Sequence, residues 1–384
     1  MRRGLLNLCL WTGLGVVVWG AGVWSVALAS EEGAPSDPVL LAAMDAAEPY
    51  AAMVFHGGYL WVGQSRKDHR ANYRVTIFNR EDHRIHEVML KHSASTMQAY
   101  GPDAVIVTGT AGEPNLTAWS IVRASASGFT VEHHWIPAEA WASGWLGSIT
   151  GKEFFLDLGG NYDDPDGSND PQLAAQTIFT ASSSGKPSYL KTRLRGPISG
   201  FKHGNKFVIL RKNDVRASGG KIVILDPATG LLQELFERNL DGPGEPVVLQ
   251  DGERLAVAES NRGIVHFVNL RTGEKSEFAT GGAPKSLAVS GNCLIVGMEA
   301  EKKGLVLRVS QNGPVETLDS FHFDSLGEAF LGLRRIAADP VTGRIYGESA
   351  YPCNAAVQDC SKTWNAVVAS PRASRGTFLE QCSK

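Results

Sequence analysis

The sequence has no long basic run, so nothing in it would neutralise a phosphate backbone, and nucleic acid is not expected as a partner. Cysteines grouped as Cys-x-x-Cys are missing too, which speaks against zinc-ribbon and thiol-oxidoreductase chemistry. There is no Gly-x-Ser-x-Gly elbow and no glycine-rich helix start for a phosphate, so no recognisable nucleophile site stands out. The ten histidines have no metal-ligand spacing: His133 and His134 are adjacent and point to opposite faces of a strand, while His83 and His86 flank a turn. Long helical periodicity is also lacking, apart from a short predicted helix in "PVLLAAMDAAEPY".

What is present is ordinary globular composition, 43% hydrophobic and 20% charged over 384 residues, ample for a large core. Arg2 and Arg3 precede an uncharged apolar stretch from Gly4 to Val26, and Ala27-Leu28-Ala29 closes it in a small-x-small pattern. Residues 1–29 therefore read as a secretory signal, the alternative being an uncleaved membrane anchor, which would be the one route to a membrane. Residues 30–49 form a lead segment. Removing Arg2 and Arg3 takes the formal net charge from −3 to −5. Four cysteines then remain, Cys293, Cys353, Cys360 and Cys382, in a periplasmic or secreted compartment where disulfides persist. Three connectivities are open, and Cys353 with Cys360, bracketing one loop, is the expected pair.

One phrase recurs with changing residues: an apolar run, a short polar turn with glycine, and a second apolar run, as in "SLAVSGNCLIVGME" and "PVVLQDGERLAVAE". The turn glycines are Gly57, Gly101, Gly151, Gly204, Gly252, Gly291 and Gly343, spaced 39 to 53 residues apart. Two more strand-like segments rich in β-branched residues follow each, as in "KIVILDPATGLLQELF". Four strands, a to d, repeated at that period predict an all-β, seven-bladed β-propeller of four-stranded antiparallel blades over residues 50–384.

The stretches "FATGGAPKSLAVSGNCLIVGMEAEKKGLVLRVSQNGPVETL" and "LDGPGEPVVLQDGERLAVAESNRGIVHFVNLRTGEKSEF" resemble the YVTN repeat of bacterial seven-bladed propellers, with Gly-x-Pro entering strand a and a Thr-Gly or Asn-Gly turn leaving strand c. The likeness is clearest over residues 196–320. "GQSRKDHRANYRVTIFNREDHRIHEVML" is similar to the heavy chain of quinoprotein amine dehydrogenases, another seven-bladed periplasmic propeller. Both resemblances imply fold and address. The scaffold they share hosts lactonases, dehydrogenase subunits and plain binding modules. The Gly-His and Trp-Asp marks of WD40 repeats are missing.

In such a ring the b–c loops share one face with the blade-to-blade connections, and loops longer than a hairpin needs are where function is sought. The longest, "GGNYDDPDGSNDPQLAA", places Asp164, Asp166 and Asp170 about a glycine turn, an oxygen-rich arrangement that calcium would neutralise; the other reading is a solvated acidic loop. Arg66, Lys67 and Arg70 in one loop, with Arg211, Lys212 and Arg216 in another, form candidate contacts for a small anionic ligand. Glu259, Glu299 and Glu348 each close a b strand, where three carboxylates would bind a ligand or hold a divalent cation against an ester carbonyl, or else pair with Arg262, Lys302 or Lys303. The expectation is an exported binding or assembly module that grips a partner protein or small ligand through its b–c face. The alternatives are a metal-dependent lactonase-like hydrolase or the propeller subunit of a periplasmic amine dehydrogenase.

Overall fold

The structure, a computed structural model, describes residues 39–45, 50–65, 73–111, 116–139, 143–157, 178–180, 188–190, 192, 194, 197–211, 219–298, 303–309, 315–322, 333, 335–349, 364–369 and 382. Its strands form antiparallel meanders in which a pairs with b, b with c and c with d. Sheet 1 contains Tyr50–His56, Tyr59–Ser65, Arg74–Phe78 and Arg84–Met89. Sheet 2 contains Thr96–Tyr100, Ala104–Ala111, Leu116–Ser125 and Gly128–Glu139. Sheet 3 contains Ser143–Ile149, Lys152–Asp157, Ile178–Thr180 and Ser188–Tyr189. Sheet 4 is built on Pro197–His203, Lys206–Arg211, Gly219–Leu225 and Leu232–Glu234. Sheet 5 contains Val247–Val248, Arg254–Glu259, Ile264–Asn269 and Lys275–Ala279, and sheet 6 contains Pro284–Ser290, Cys293–Met298, Lys303–Val309 and Val315–His322. The last sheet joins Arg335–Ala338, Ile345–Ser349 and Trp364–Ala369 to Val39–Asp45, which pairs antiparallel with Trp364–Ala369. This is an all-β propeller.

The four-stranded antiparallel blades are as expected, each described sheet having a path of four strands; sheet 4 adds a fifth, because Leu240–Asp241 pairs with Gly219–Gly220 on the edge that Leu232–Glu234 leaves open. Between those two short strands the chain makes an excursion that buries Leu235 and Phe236, and burial of Phe236 against sheet 5 offsets the broken edge. One expectation is corrected: the predicted helix in "PVLLAAMDAAEPY" is a strand at Val39–Asp45. A helix that short gains little alone, whereas a ladder on Trp364–Ala369 satisfies its backbone.

The sequence pattern explains the radial order of strands. Strand b of sheet 6, Cys293–Met298, is buried at every residue, and Arg254–Glu259 at all but its first, because such strands lie inside sheets covered on both faces. Outer strands such as Lys275–Ala279 are mostly exposed. All seven turn glycines sit at the a–b turns with φ between 56° and 76°, the left-handed region where a side chain is disfavoured.

Apolar clusters fill the spaces between consecutive sheets, and one made of Met53, Leu60, Val62 and Phe78 with Ala337, Tyr346, Val367 and Ala369 joins the last sheet to the first. On the a–b side of that seam, Arg80 Nε donates to Asp339 Oδ2 at 3.1 Å, and Arg344 Nε donates to Asp82 Oδ1 at 3.1 Å. Asp339 is fully buried and also accepts from the Val341 amide at 2.9 Å and the Thr342 hydroxyl at 2.7 Å.

At the junction of sheet 6 with the last sheet, a disulfide links Cys293 to Cys382, 89 residues apart. The Asn292 amide donates to the Cys382 carbonyl at 2.7 Å, and a Cβ on Gly291 would stand 2.3 Å from that oxygen. Cys353 and Cys360, the expected pair, lie outside the described residues.

Candidate binding face

Strand b of sheet 5 ends at Glu259 on the b–c face, followed by the 3-10 turn Ser260–Arg262 and by Gly263 at φ 66°. The chain between sheets 4 and 5 passes over this end, its Gly244 amide donating to Ala258 O at 3.0 Å. That approach needs a glycine: a Cβ on Gly244 would lie 2.1 Å from Lys285 O. The excursion of sheet 4 delivers Arg238 to the same point.

Glu259 is fully buried. Oε1 accepts from Arg238 Nη1 at 2.6 Å and from the Asp241 amide at 2.8 Å. Oε2 accepts from Arg238 Nη2 at 2.7 Å and lies 2.6 Å from His266 Nε2. Burial alone would push this carboxyl up, but Arg238, the Asp241 amide and His266 together hold it down, at about 2. The Arg262 guanidinium stands 3.7 Å from Oε2, an electrostatic approach without a hydrogen bond. His266 Nδ1 is 3.2 Å from Glu277 Oε1, and Phe236 packs edge-on against the His266 ring at 5.3 Å. The centre therefore ties strands b, c and d of sheet 5 to the excursion of sheet 4.

Glu348 is likewise fully buried, at the end of strand b in the last sheet, where Arg335 Nη1 donates to its Oε2 at 3.2 Å across the a–b register. Arg211 closes strand b of sheet 4 rather than sitting in a loop; it donates to Glu234 Oε1 at 2.6 Å, and Lys221 pairs with the same carboxylate. Those two cations hold the Glu234 carboxyl below its ordinary range. The other named candidates, Glu299, Arg66, Lys67, Arg70, Lys212, Arg216, Asp164, Asp166 and Asp170, lie outside the described residues. Among the described residues no group of three or more His, Cys, Asp or Glu could hold a metal ion, and no helix is long and apolar enough to cross a membrane.

Sequence reasoning missed Arg238, His266 and Arg335. His266 left a trace: in "GIVHFVNL" it interrupts an apolar run at a position that must face a neighbouring sheet, and a buried imidazole needs polar partners. Arg238 left none, because it reaches Glu259 only through the broken edge of sheet 4. The opposite facing of His133 and His134 does hold: His133 Nδ1 is 2.7 Å from Ser120 Oγ, while His134 stacks on Trp119 at 4.9 Å.

No family model matches the chain, and no curated protein matches it. Among solved structures it is similar to hydrazine synthase of Kuenenia stuttgartiensis, with a TM-score of 0.58 and 13% identity, over 90% of this chain and 99% of that one. It is also similar to the extracellular domain of the hybrid two-component system BT4673 from B. thetaiotaomicron, with a TM-score of 0.52 and 11% identity, over 87% of this chain and 39% of that one. A third likeness, to a puromycin hydrolase S511A mutant, has a TM-score of 0.50 and 11% identity over 79% of this chain and 51% of that one. At such identities the likeness speaks for architecture only, and by architecture this chain is a β-propeller with antiparallel four-stranded blades.

Proposed function

We propose that the protein is an exported seven-bladed propeller, with the five-stranded sheet counted as one blade, and that it binds a partner protein or small ligand through its b–c face. The observation that carries this reading is the saturation of Glu259. Four donors meet a carboxylate that has about four acceptor sites, so its charge is spent on holding the blade-to-blade connection. A lactonase-like hydrolase would need this carboxylate open to a metal, whereas a binding module needs the loop platform it fixes. Export is supported by Arg2, Arg3 and Ala27-Leu28-Ala29, by the YVTN-like phrasing, and by the Cys293–Cys382 disulfide. With those two cysteines joined, Cys353 and Cys360 are the remaining pair, which we read as a second staple on the b–c face.

The test is a comparison of faces. Charge reversal at Asp164 and Asp166, or at Arg66 and Arg70, is expected to alter capture of the cognate partner from periplasmic or culture fluid, with Lys152→Glu and Asn205→Lys on the turn side leaving it unchanged. Equal loss from both faces sinks the reading. N-terminal sequencing of the mature protein is expected to begin near Ser30, and an intact Met1 in the cytoplasmic fraction would refute export.

A further inference from the structure

The junction of sheets 1 and 2 contains a second buried polar chain, separate from the Glu259 centre. His92, in the connection between the two sheets, is fully buried. Its Nδ1 lies 2.7 Å from the Ser93 carbonyl and its Nε2 lies 2.6 Å from Ser120 Oγ on strand c of sheet 2. Ser120, also fully buried, has His133 Nδ1 of strand d on its other side at 2.7 Å.

The acceptors dictate where the protons are. A carbonyl can only accept, so His92 Nδ1 carries a proton. Burial pushes the His92 pKa down to about 4, the Ser93 hydrogen bond opposing and His133 adding to the fall, so the ring is neutral and Nε2 is an acceptor. The Ser120 O–H therefore donates to His92, and its oxygen accepts from His133 Nδ1–H. The chain runs one way, from the outer strand inward to the connection.

We propose that His92, Ser120 and His133 form an acid-operated latch that joins sheets 1 and 2. In acid both rings become cations, each with N–H at the nitrogen facing Ser120. Two donors then converge on one hydroxyl whose own O–H has lost its acceptor, and two positive rings, 6.4 Å apart between centroids, face each other across it. The surrounding charges do not relieve this. Burial first, and then Lys91 and His134, disfavour the His133 cation, and the nearby Glu132 lies 3.1 Å from His134 Nε2. The segment under strain is the connection itself, tied to sheet 2 where the Ser95 amide donates to Thr108 O at 2.8 Å. Connections of this kind share the face proposed to bind, so the latch would couple acidity to that face.

Hydrogen exchange on the full mature protein tests it. Once corrected for intrinsic rates, protection of the Ser95 amide is expected to fall about tenfold or more between pH 7 and pH 4. The Gly244 amide, in the equivalent connection between sheets 4 and 5, is expected to hold. In His92→Gln, whose side-chain oxygen accepts from Ser120 and takes up no proton, the Ser95 step disappears. Retention of the step in H92Q, or a parallel fall at Gly244, overturns the latch and leaves the binding reading untouched. If H92Q does not fold, ring nitrogen shifts of the wild type decide: Nε2 bare at pH 6 supports the latch and Nε2 protonated at pH 6 overturns it.

Discussion

The Glu259 centre and the seam between the last sheet and the first use one chemistry for two purposes. In each, a fully buried carboxylate accepts from an arginine and from backbone amide, with a third side chain completing the set. They differ in chain distance. Arg238 and Glu259 are 21 residues apart, whereas Arg80 and Asp339 are 259 apart. The first centre forms between neighbours already joined by a short connection, so its energy goes into shaping one face. The second has to wait for the ring to close, so its energy goes into closure and carries the larger loop entropy. Local chain distance thus separates a positioning role from a structural one where the donor sets look alike.

The sharpest break in this comparison comes at the disulfide one junction away from the seam, between sheet 6 and the last sheet. Replacing Cys293 and Cys382 by serine is expected to cost about 4–5 kcal/mol by loop entropy for an 89-residue separation, read from denaturant midpoints. A loss under about 1 kcal/mol would mean that non-covalent packing between sheet 6 and the last sheet suffices to hold the ring. Next in size, Asp339→Ala removes the acceptor of Arg80, Thr342 and the Val341 amide and is expected to cost about 4 kcal/mol, expressed as faster unfolding of the whole ring.

Glu259→Gln is expected to cost about 3 kcal/mol at neutral pH, with local loosening of residues 235–246 rather than opening of the seam. The sign follows from a folded pKa depressed to about 2 against the ordinary 4.5. The stabilisation is complete above about pH 4.5 and disappears as pH falls through 2, so wild type and E259Q converge in strong acid. The smallest effect is expected at Arg262→Ala, within about 0.5 kcal/mol, because its guanidinium is 47% exposed and 3.7 Å from the carboxylate. A cost as large as that of E259Q would show that Arg262, not Arg238, balances the buried charge.

The propeller was legible because its signals are local: each a–b turn needs a glycine at positive φ, and each inner strand is a continuous apolar run. The fifth strand of sheet 4 was not, since nothing in "LLQELFERNLDGPG" states that Leu240 will return to an edge already used by Leu232–Glu234. The strand at Val39–Asp45 was misread for a similar reason, its partner lying more than 300 residues away. Strand-end Glu259 and Glu348 were legible as a pattern but not as buried, because their charges are met by Arg238 from the excursion of sheet 4 and by Arg335 opposite Glu348 on strand a, pairings that a list of strand ends does not contain.

The Cys293–Cys382 bond also determines how the molecule would bear load. Tension applied between Val39 and Cys382 passes from Cys293 through the sulfur bridge, so the 89-residue stretch behind it is short-circuited and about 300 Å of contour length is withheld from extension. Strands a, b and c of the last sheet lie inside the bypassed stretch, so the pull reaches them only through the ladder between Val39–Asp45 and Trp364–Ala369. Reduction would release that hidden length, turning a ring that opens at one strand into a chain that pays out from both ends.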